Sequence, residues 1–135
     1  MFDPVGNIYA CLTDYYDREK QAIGIKSRPV LILKEPEVSG DKQYVALPVS
    51  TMLQERYRHA RYDVRLEPGN YPLLKVKRSC FVRCHKQMTV YRGEIDFTNW
   101  MGDVKKNYPG LWRDILSRLI LFEKTIVGED ISCLF

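Results

Sequence analysis

Up to about residue 91, the chain consists of short apolar segments separated by residues typical of turns. Residues 28–33 form a continuous apolar run, rich in branched side chains and too short for a typical helix, and so predict a buried strand. Pro29 is expected at the beginning of that strand, where no backbone donor is needed. Polar residues predict a loop over 13–26 and a turn over 35–42. Further strands are predicted at 7–12, 44–51, 62–66, 79–85 and 88–91.

The pattern changes after residue 91. Apolar residues recur at three- and four-residue spacing from Leu111 to Phe122, and Pro109 suits a first helical turn, so a helix is predicted over 108–124. A shorter helix is predicted over 94–104. Strands followed by a terminal amphipathic helix indicate a single α+β domain over residues 1–135, built as a small antiparallel β-barrel.

Composition argues against several classes of protein. No apolar run approaches the roughly 20 residues of a membrane span, and the N-terminus lacks the pattern of a signal peptide, so a cytoplasmic protein without membrane contact is expected. Among the four cysteines, only Cys80 and Cys84, followed by His85, have a spacing suggestive of zinc, and no second pair accompanies them. Buried free thiols are expected instead, with no metal and no cofactor.

Positive charge is concentrated in one stretch. Residues 54–86 contain nine Lys/Arg and three acidic residues, a net charge of +6, so the rest of the chain sums to −2 against a total of +4. A basic face on a near-neutral body suits binding of a polyanion. A solvated surface rich in lysine and arginine explains the charge equally well.

Residues 80–85 carry the most informative pattern. On a strand, alternate side chains share a face, so Cys80, Val82 and Cys84 are predicted to point into the core. Phe81, Arg83 and His85 then project together from the opposite face. This places an aromatic ring, a permanent cation and a titratable imidazole in a row.

That row matches what RNA cleavage by the neighbouring 2′-hydroxyl requires. A histidine can accept the hydroxyl proton, and an arginine can stabilise charge at the phosphate. Phe81 is a candidate for stacking an unpaired base. An ordinary solvated sheet face would show the same alternation, and the residues alone leave both interpretations open.

Five ordered segments resemble the MazF/PemK family of toxins from bacterial toxin–antitoxin pairs. They are GNIY at 6–9, KSRPVLIL at 26–33, LPVST at 47–51, YDVRL at 62–66 and FVRCH at 81–85. Their order and spacing agree with the family over residues 6–92. The resemblance implies an SH3-like barrel, a homodimer and sequence-specific cleavage of single-stranded RNA, chiefly mRNA. It further implies products with a 2′,3′-cyclic phosphate and a 5′-hydroxyl, and neutralisation by a small antitoxin protein.

The resemblance also assigns residues. Arg28 and Ser50 match the family's active-site arginine and threonine, Arg83 matches the catalytic arginine of the PemK branch, and His85 stands at that branch's aspartate base. The remaining candidates are for RNA binding: Thr51, Phe81, Arg56, Arg58, Lys77, Arg78 and Lys86.

Some positions depart from the family pattern. Ser50 replaces a threonine and keeps the hydroxyl, whereas His85 replaces one base by another. The family's first-loop element is not recognisable in residues 17–25, so Glu19 and Gln21 receive no role. His59 is predicted to be a solvated loop residue. Two alternative hypotheses remain: a protein-binding toxin similar to CcdB that does not cleave RNA, and an inactive RNA-binding relative.

Overall fold

A computed structural model describes residues 3–51 and 58–128. A 3-10 turn, Arg92–Glu94, separates the last two strands. The elements, in chain order, are β1 (Asn7–Asp17), β2 (Ala22–Lys34), β3 (Gln43–Ser50), β4 (Asp63–Leu66), β5 (Cys80–Arg83), β6 (Met88–Tyr91), β7 (Ile95–Asp103), α1 (Val104–Asn107) and α2 (Pro109–Val127).

The strands form an antiparallel sheet that curls into a half-barrel. Its order is β4-β5-β3-β2-β1-β7, and β6 pairs with β3 beside β5. Helix α2 follows at the C-terminal end, which makes the fold α+β and confirms the predicted combination of a small antiparallel sheet and a terminal helix. Within residues 3–51 and 58–128, no helix is long and apolar enough to cross a membrane.

Alternation along the strands gives the sheet two apolar faces. One face packs against α2, whose Leu111 and Ile115 are buried and whose Leu119 and Phe122 are partly buried, as the predicted stripe requires. Ile115 is completely buried, which contributes about 2 kcal/mol to stability. The opposite face carries a second cluster that includes Tyr9, Ile32 and Val90, and β6 and β7 contribute residues to it.

The predicted loop over 13–26 is wrong. Residues 12–17 of β1 pair with 22–27 of β2 and extend the two strands into a hairpin. We call residues 12–29 the β1–β2 ribbon. Among the described strands, β7 pairs with β1 only as far as Cys11 and β3 pairs with β2 only from Val30 onward, so the strands of the ribbon pair only with each other. Pro29 therefore lies inside a strand, although at the point where pairing with β3 has ended and no ladder donor is required on that side.

The predicted helix over 94–104 is also wrong. Residues 95–103 form β7, which pairs with β1 through two register shifts, and only the short helix α1 follows, with Asp103 accepting from the Lys106 amide. Gly102 has a φ of +130°, and a Cβ there would lie 2.6 Å from a Leu74 methyl carbon. This conformation suits glycine and does not belong to a helix.

Candidate active site

A buried carboxylate, Asp63, organises the candidate site. Asp63 lies on β4 directly opposite Arg83 on β5, and its side chain is completely shielded from solvent. Arg83 Nε donates to Asp63 Oδ1 at 3.2 Å, and the backbone amide of His59 donates to Oδ2 at 2.6 Å. These bonds satisfy both oxygens, as a buried charge requires.

His85 lies in the turn that follows β5 and faces the same carboxylate. Its Nδ1 is 3.7 Å from Asp63 Oδ1, beyond hydrogen-bond distance, and is buried without a hydrogen-bond partner among the described residues. Its Nε2 is 3.4 Å from Arg83 Nη2. A guanidinium can only donate, so Nε2 is the acceptor and the proton of the neutral ring belongs on Nδ1, toward Asp63.

The surroundings of His85 keep it neutral. Burial lowers the pKa of His85 below its ordinary value, and this outweighs the attraction of Asp63, which acts in the opposite direction. The positive charges of Arg83, Lys86 and His59 lower the pKa further. At neutral pH the side chain therefore presents an unprotonated Nε2, the form that a proton acceptor needs.

Aromatic side chains form the wall of this cluster. His59 stacks on Tyr62 with ring centroids 4.5 Å apart, and the centroid of His59 lies 5.3 Å from that of His85. Phe122 of α2 meets both Tyr62 and His85 edge to face, at 5.2 and 6.0 Å. His59 is exposed and lies in a loop, as predicted. Its proximity to His85, however, was not predicted.

Helix α2 also holds the turn that carries His59. Arg118 Nη1 donates to the carbonyl oxygens of Ala60 and Arg61 at 3.0 and 3.1 Å, and Arg118 Nε donates to Asp114 one helical turn earlier. The chain between His59 and Asp63 is thus fixed from the helix side as well as from the carboxylate side.

A basic cavity of about 780 Å³ opens beside the middle of β2 and the C-terminal end of β3. Its lining contains no acidic side chain among the residues that the structure describes. Three hydroxyl side chains, Ser27, Ser50 and Thr51, accompany the cations. The basic residues of the lining are Lys26, Arg28, Lys75, Lys77 and Arg78. Such a concentration of positive charge in a concave surface attracts polyanions.

The structure brings five predicted site residues together in this cavity: Arg28, Ser50, Thr51, Lys77 and Arg78. Arg83 and His85 belong to the Asp63 cluster instead. The two groups are neighbours in the sheet, because Ser50 pairs with Phe81 and Arg83 follows two residues later on the same face of β5. Two residues along a strand correspond to about 7 Å.

The other candidates differ in their accessibility. Phe81 is 5% exposed, and the guanidinium carbons of Arg58 and Arg65 lie 5.4 and 5.9 Å from its ring centroid. The ring is therefore already covered by cations, and its stacking on a base stays a prediction. Lys86 is exposed next to His85. Arg56 lies outside the described residues.

Sequence reasoning missed Asp63, Lys26, Lys75 and Arg118. The sequence predicted a strand over 62–66 but gave Asp63 no role, whereas in the structure Asp63 is buried and bonded to the turn at His59. The available signal was an acidic residue within a predicted strand and a strongly basic stretch. The three described cysteines, Cys11, Cys80 and Cys84, are free and buried, as predicted. No group of three metal-ligating side chains is close enough to hold a metal ion in residues 3–51 and 58–128.

Comparison with known proteins identified no relative of this chain: no protein-family model matches the sequence, and no curated protein matches it. The site must therefore be interpreted from its own geometry. That geometry combines a neutral imidazole, a guanidinium fixed beside it and an adjoining cationic cavity, which together suit proton transfer at a bound phosphate.

Proposed function

We propose that this protein is a metal-independent endoribonuclease toxin of the MazF/PemK type, built on an SH3-like barrel, that cleaves single-stranded RNA in the cytoplasm. The observation that carries the proposal is the contact between His85 and Arg83, with the acceptor Nε2 of the imidazole 3.4 Å from the guanidinium. The ordered family-like segments support the same function.

In the proposed reaction, His85 Nε2 removes the proton of a ribose 2′-hydroxyl and the 2′-oxygen attacks the adjacent phosphorus. Arg83 stabilises the negative charge that develops on the phosphate oxygens. The contact between Arg83 Nη2 and His85 Nε2 is long, at 3.4 Å, and therefore weak. A phosphate oxygen can replace the imidazole as the hydrogen-bond partner of Arg83. The products are a 2′,3′-cyclic phosphate and a 5′-hydroxyl.

The basic cavity supports the proposal as a binding site for the RNA strand. Arg28 supplies a fork of donors for a phosphate, and the hydroxyls of Ser50 and Thr51 supply neutral hydrogen bonds beside it. The lysines at 26, 75 and 77 add charge without imposing a geometry. Specificity for a short sequence then depends on the side chains around this cavity.

Homodimer formation is part of the proposal. Alternation along the β1–β2 ribbon places Leu12, Tyr16, Ile23 and Ile25 on one of its faces, and all four are at least 49% exposed. Exposed apolar side chains grouped on one face in this way are typical of an interaction surface. Sedimentation of the wild-type chain and of an Ile23→Ser, Ile25→Ser variant tests this, because loss of the patch should shift a dimer to a monomer.

The antitoxin is expected to be a small protein with an acidic segment that occupies the basic cavity, since the same charges that bind RNA favour carboxylates. Competition between such a segment and RNA would give the neutralisation that the toxin–antitoxin hypothesis requires.

The decisive experiment is incubation of the purified protein with a long natural RNA in EDTA, followed by primer extension. Discrete breaks at a recurring short sequence, absent with His85→Ala and retained with Lys34→Ala, are expected. Lys34 is a suitable control because it pairs with Glu37 at the far end of β2 and is outside the cavity lining. Intact RNA with a folded wild-type protein would contradict the proposal and favour a CcdB-like protein-binding toxin.

A further inference from the structure

The proposed reaction leaves one requirement unmet by Arg83 and His85. The departing 5′-oxygen needs a proton as its bond to phosphorus breaks, and His85 serves as the acceptor on the other side. A guanidinium holds its proton too strongly to supply it, because the pKa of arginine exceeds about 12. A second group with a dissociable proton is needed close to the same phosphate.

The position of His59, next to His85, makes its imidazole a candidate for this group. Its ring centroid is 5.3 Å from that of His85, with the ring planes inclined at 48°. The ring is held by stacking on buried Tyr62, and the residue's backbone amide is held by Asp63 Oδ2 at 2.6 Å. The carboxylate that anchors Arg83 therefore also fixes the loop that presents His59.

The two imidazoles have different surroundings. The side chain of His85 is 12% exposed and packs against Phe122, so its charged form loses hydration. His59 is exposed, and its charged form keeps contact with water. The difference separates the two roles, because the buried ring favours the neutral, proton-accepting form and the exposed ring can carry the proton.

The charged groups around the pair act in the same direction. Asp63 and Arg83 face His85 from β4 and β5, Lys86 follows it in the chain, and α2 contributes the apolar ring of Phe122. A proton on His59 lowers the pKa of His85, so charging the exposed ring helps to keep the buried ring neutral.

We propose that His59 is the proton donor to the leaving 5′-oxygen and forms an acid–base pair with His85. The inference rests on the proposed function. The 2′-hydroxyl proton goes to His85 Nε2, the 2′-oxygen bonds to phosphorus, and the phosphorus–5′-oxygen bond breaks with its electron pair on that oxygen. The oxygen takes the proton of protonated His59. Exchange with water then returns His85 to its neutral form and His59 to its protonated form.

Replacing the leaving group distinguishes this role from a purely structural one. A short RNA with the mapped cleavage sequence is prepared with an ordinary linkage and with sulfur in place of the scissile 5′-oxygen. A thiolate leaves without protonation far more readily than an alkoxide. His59→Phe keeps a ring on Tyr62 but removes the proton, and His59→Gln serves as a second variant that does not depend on stacking. Circular dichroism and thermal unfolding verify that both variants fold.

We expect His59→Phe and His59→Gln to lose about 10²–10⁴-fold in rate on the ordinary linkage and less than about tenfold on the sulfur linkage. His85→Ala should be slow on both linkages, because the base is still required. Equal losses of the His59 variants on both linkages, or no loss on either, would overturn the inference while leaving the proposed function intact. Absence of cleavage by the wild-type chain would overturn both.

Discussion

The carboxylate of Asp63 and the guanidinium of Arg83 face each other across the β4–β5 pair, with Oδ1 and Nε 3.2 Å apart. The arginine keeps 19% of its side chain exposed while the aspartate has none. Arg83 is thus held by a fully buried carboxylate while part of its own side chain stays in contact with solvent. A cation anchored in this way needs little reorganisation when a phosphate arrives.

Removing the charge of Asp63 should weaken the fold. Asp63→Asn keeps the size of the side chain but leaves Arg83 and the His59 amide with a weaker acceptor, so we expect a loss of about 2–3 kcal/mol in the free energy of unfolding. Urea unfolding measures it. Glu37→Gln, at an exposed pair with Lys34, should have no resolvable effect. Equal stability of Asp63→Asn and wild type would mean that desolvating the carboxylate offsets its hydrogen bonds.

Stability should fall as the pH drops below about 6.5, the ordinary pKa of histidine. Burial lowers the pKa of His85 in the folded state, so just below that pH the unfolded chain binds more protons at this residue than the folded chain. The contribution of neutral His85 to the free energy of unfolding is complete above the pKa of the residue in the unfolded chain. It is lost as the pH falls toward the pKa of the residue in the folded chain.

Urea midpoints measured between pH 5 and 7.5 test this pH dependence. The pKa values of Glu37, Glu67 and Asp96 are lowered, so these carboxyl groups titrate below that pH range. His85→Gln should flatten the slope. His59→Gln should retain it, because the burial of His85 persists. A slope unchanged by His85→Gln would assign the effect to another group.

The three described thiols should react slowly. Burial raises the pKa of Cys11 and Cys80 to about 11 and that of Cys84 to about 12, so the reactive thiolate is scarce at neutral pH. Cys133 lies outside the described residues, and a Cys133→Ser variant removes it from the measurement. That variant should release almost no colour with Ellman's reagent at pH 7.5 until denaturant is added. Rapid reaction of the native variant would contradict the burial of these side chains.

Affinity for RNA should depend steeply on salt through the basic cavity. Each phosphate contact with single-stranded RNA contributes about −0.7 to the slope of log affinity against log salt concentration. Lys75→Ala with Lys77→Ala should therefore reduce the slope by about 1.4, whereas Lys34→Ala should leave it unchanged. Fluorescence anisotropy with a labelled RNA, using the inactive His85→Ala background in every case, gives these slopes. An unaltered slope in the double variant would place the RNA elsewhere.

Local sequence patterns predict the parts of this fold whose interactions are local. The stripe from Leu111 to Phe122 predicts α2, and the branched residues of 28–33 predict the centre of β2, because each pattern matches the face that its own element buries. The β1–β2 ribbon was missed, since the charged residues around its tip are typical of a loop and its strands are stabilised by pairing with each other. Pairing with β1 likewise overrides the helical pattern of β7.

The candidate site likewise contains some residues whose placement follows from a local sequence pattern and others whose placement does not. Arg83 and His85 are two residues apart in the chain, so the alternation of the strand predicted over 79–85 brings them to the same side, although β5 ends at Arg83 and His85 lies in the turn that follows. Asp63 is 20 residues from Arg83 in the chain, and Arg118 is 57 residues from Arg61. Their contacts depend on strand register and on the docking of α2, which no local pattern contains.

The β1–β2 ribbon has a consequence for how the protein opens. A two-stranded hairpin without further strands beside it is only marginally stable, so its amide protons should exchange with solvent long before those of the core. Its tip carries Arg18 and Lys20, both exposed, which makes it a site for limited trypsin digestion. A nick there would separate β1 from β2 in sequence while their inner halves stay paired within the sheet. Lys26 and Arg28 lie on this ribbon and line the cavity, so one wall of the cavity can yield while the core remains folded.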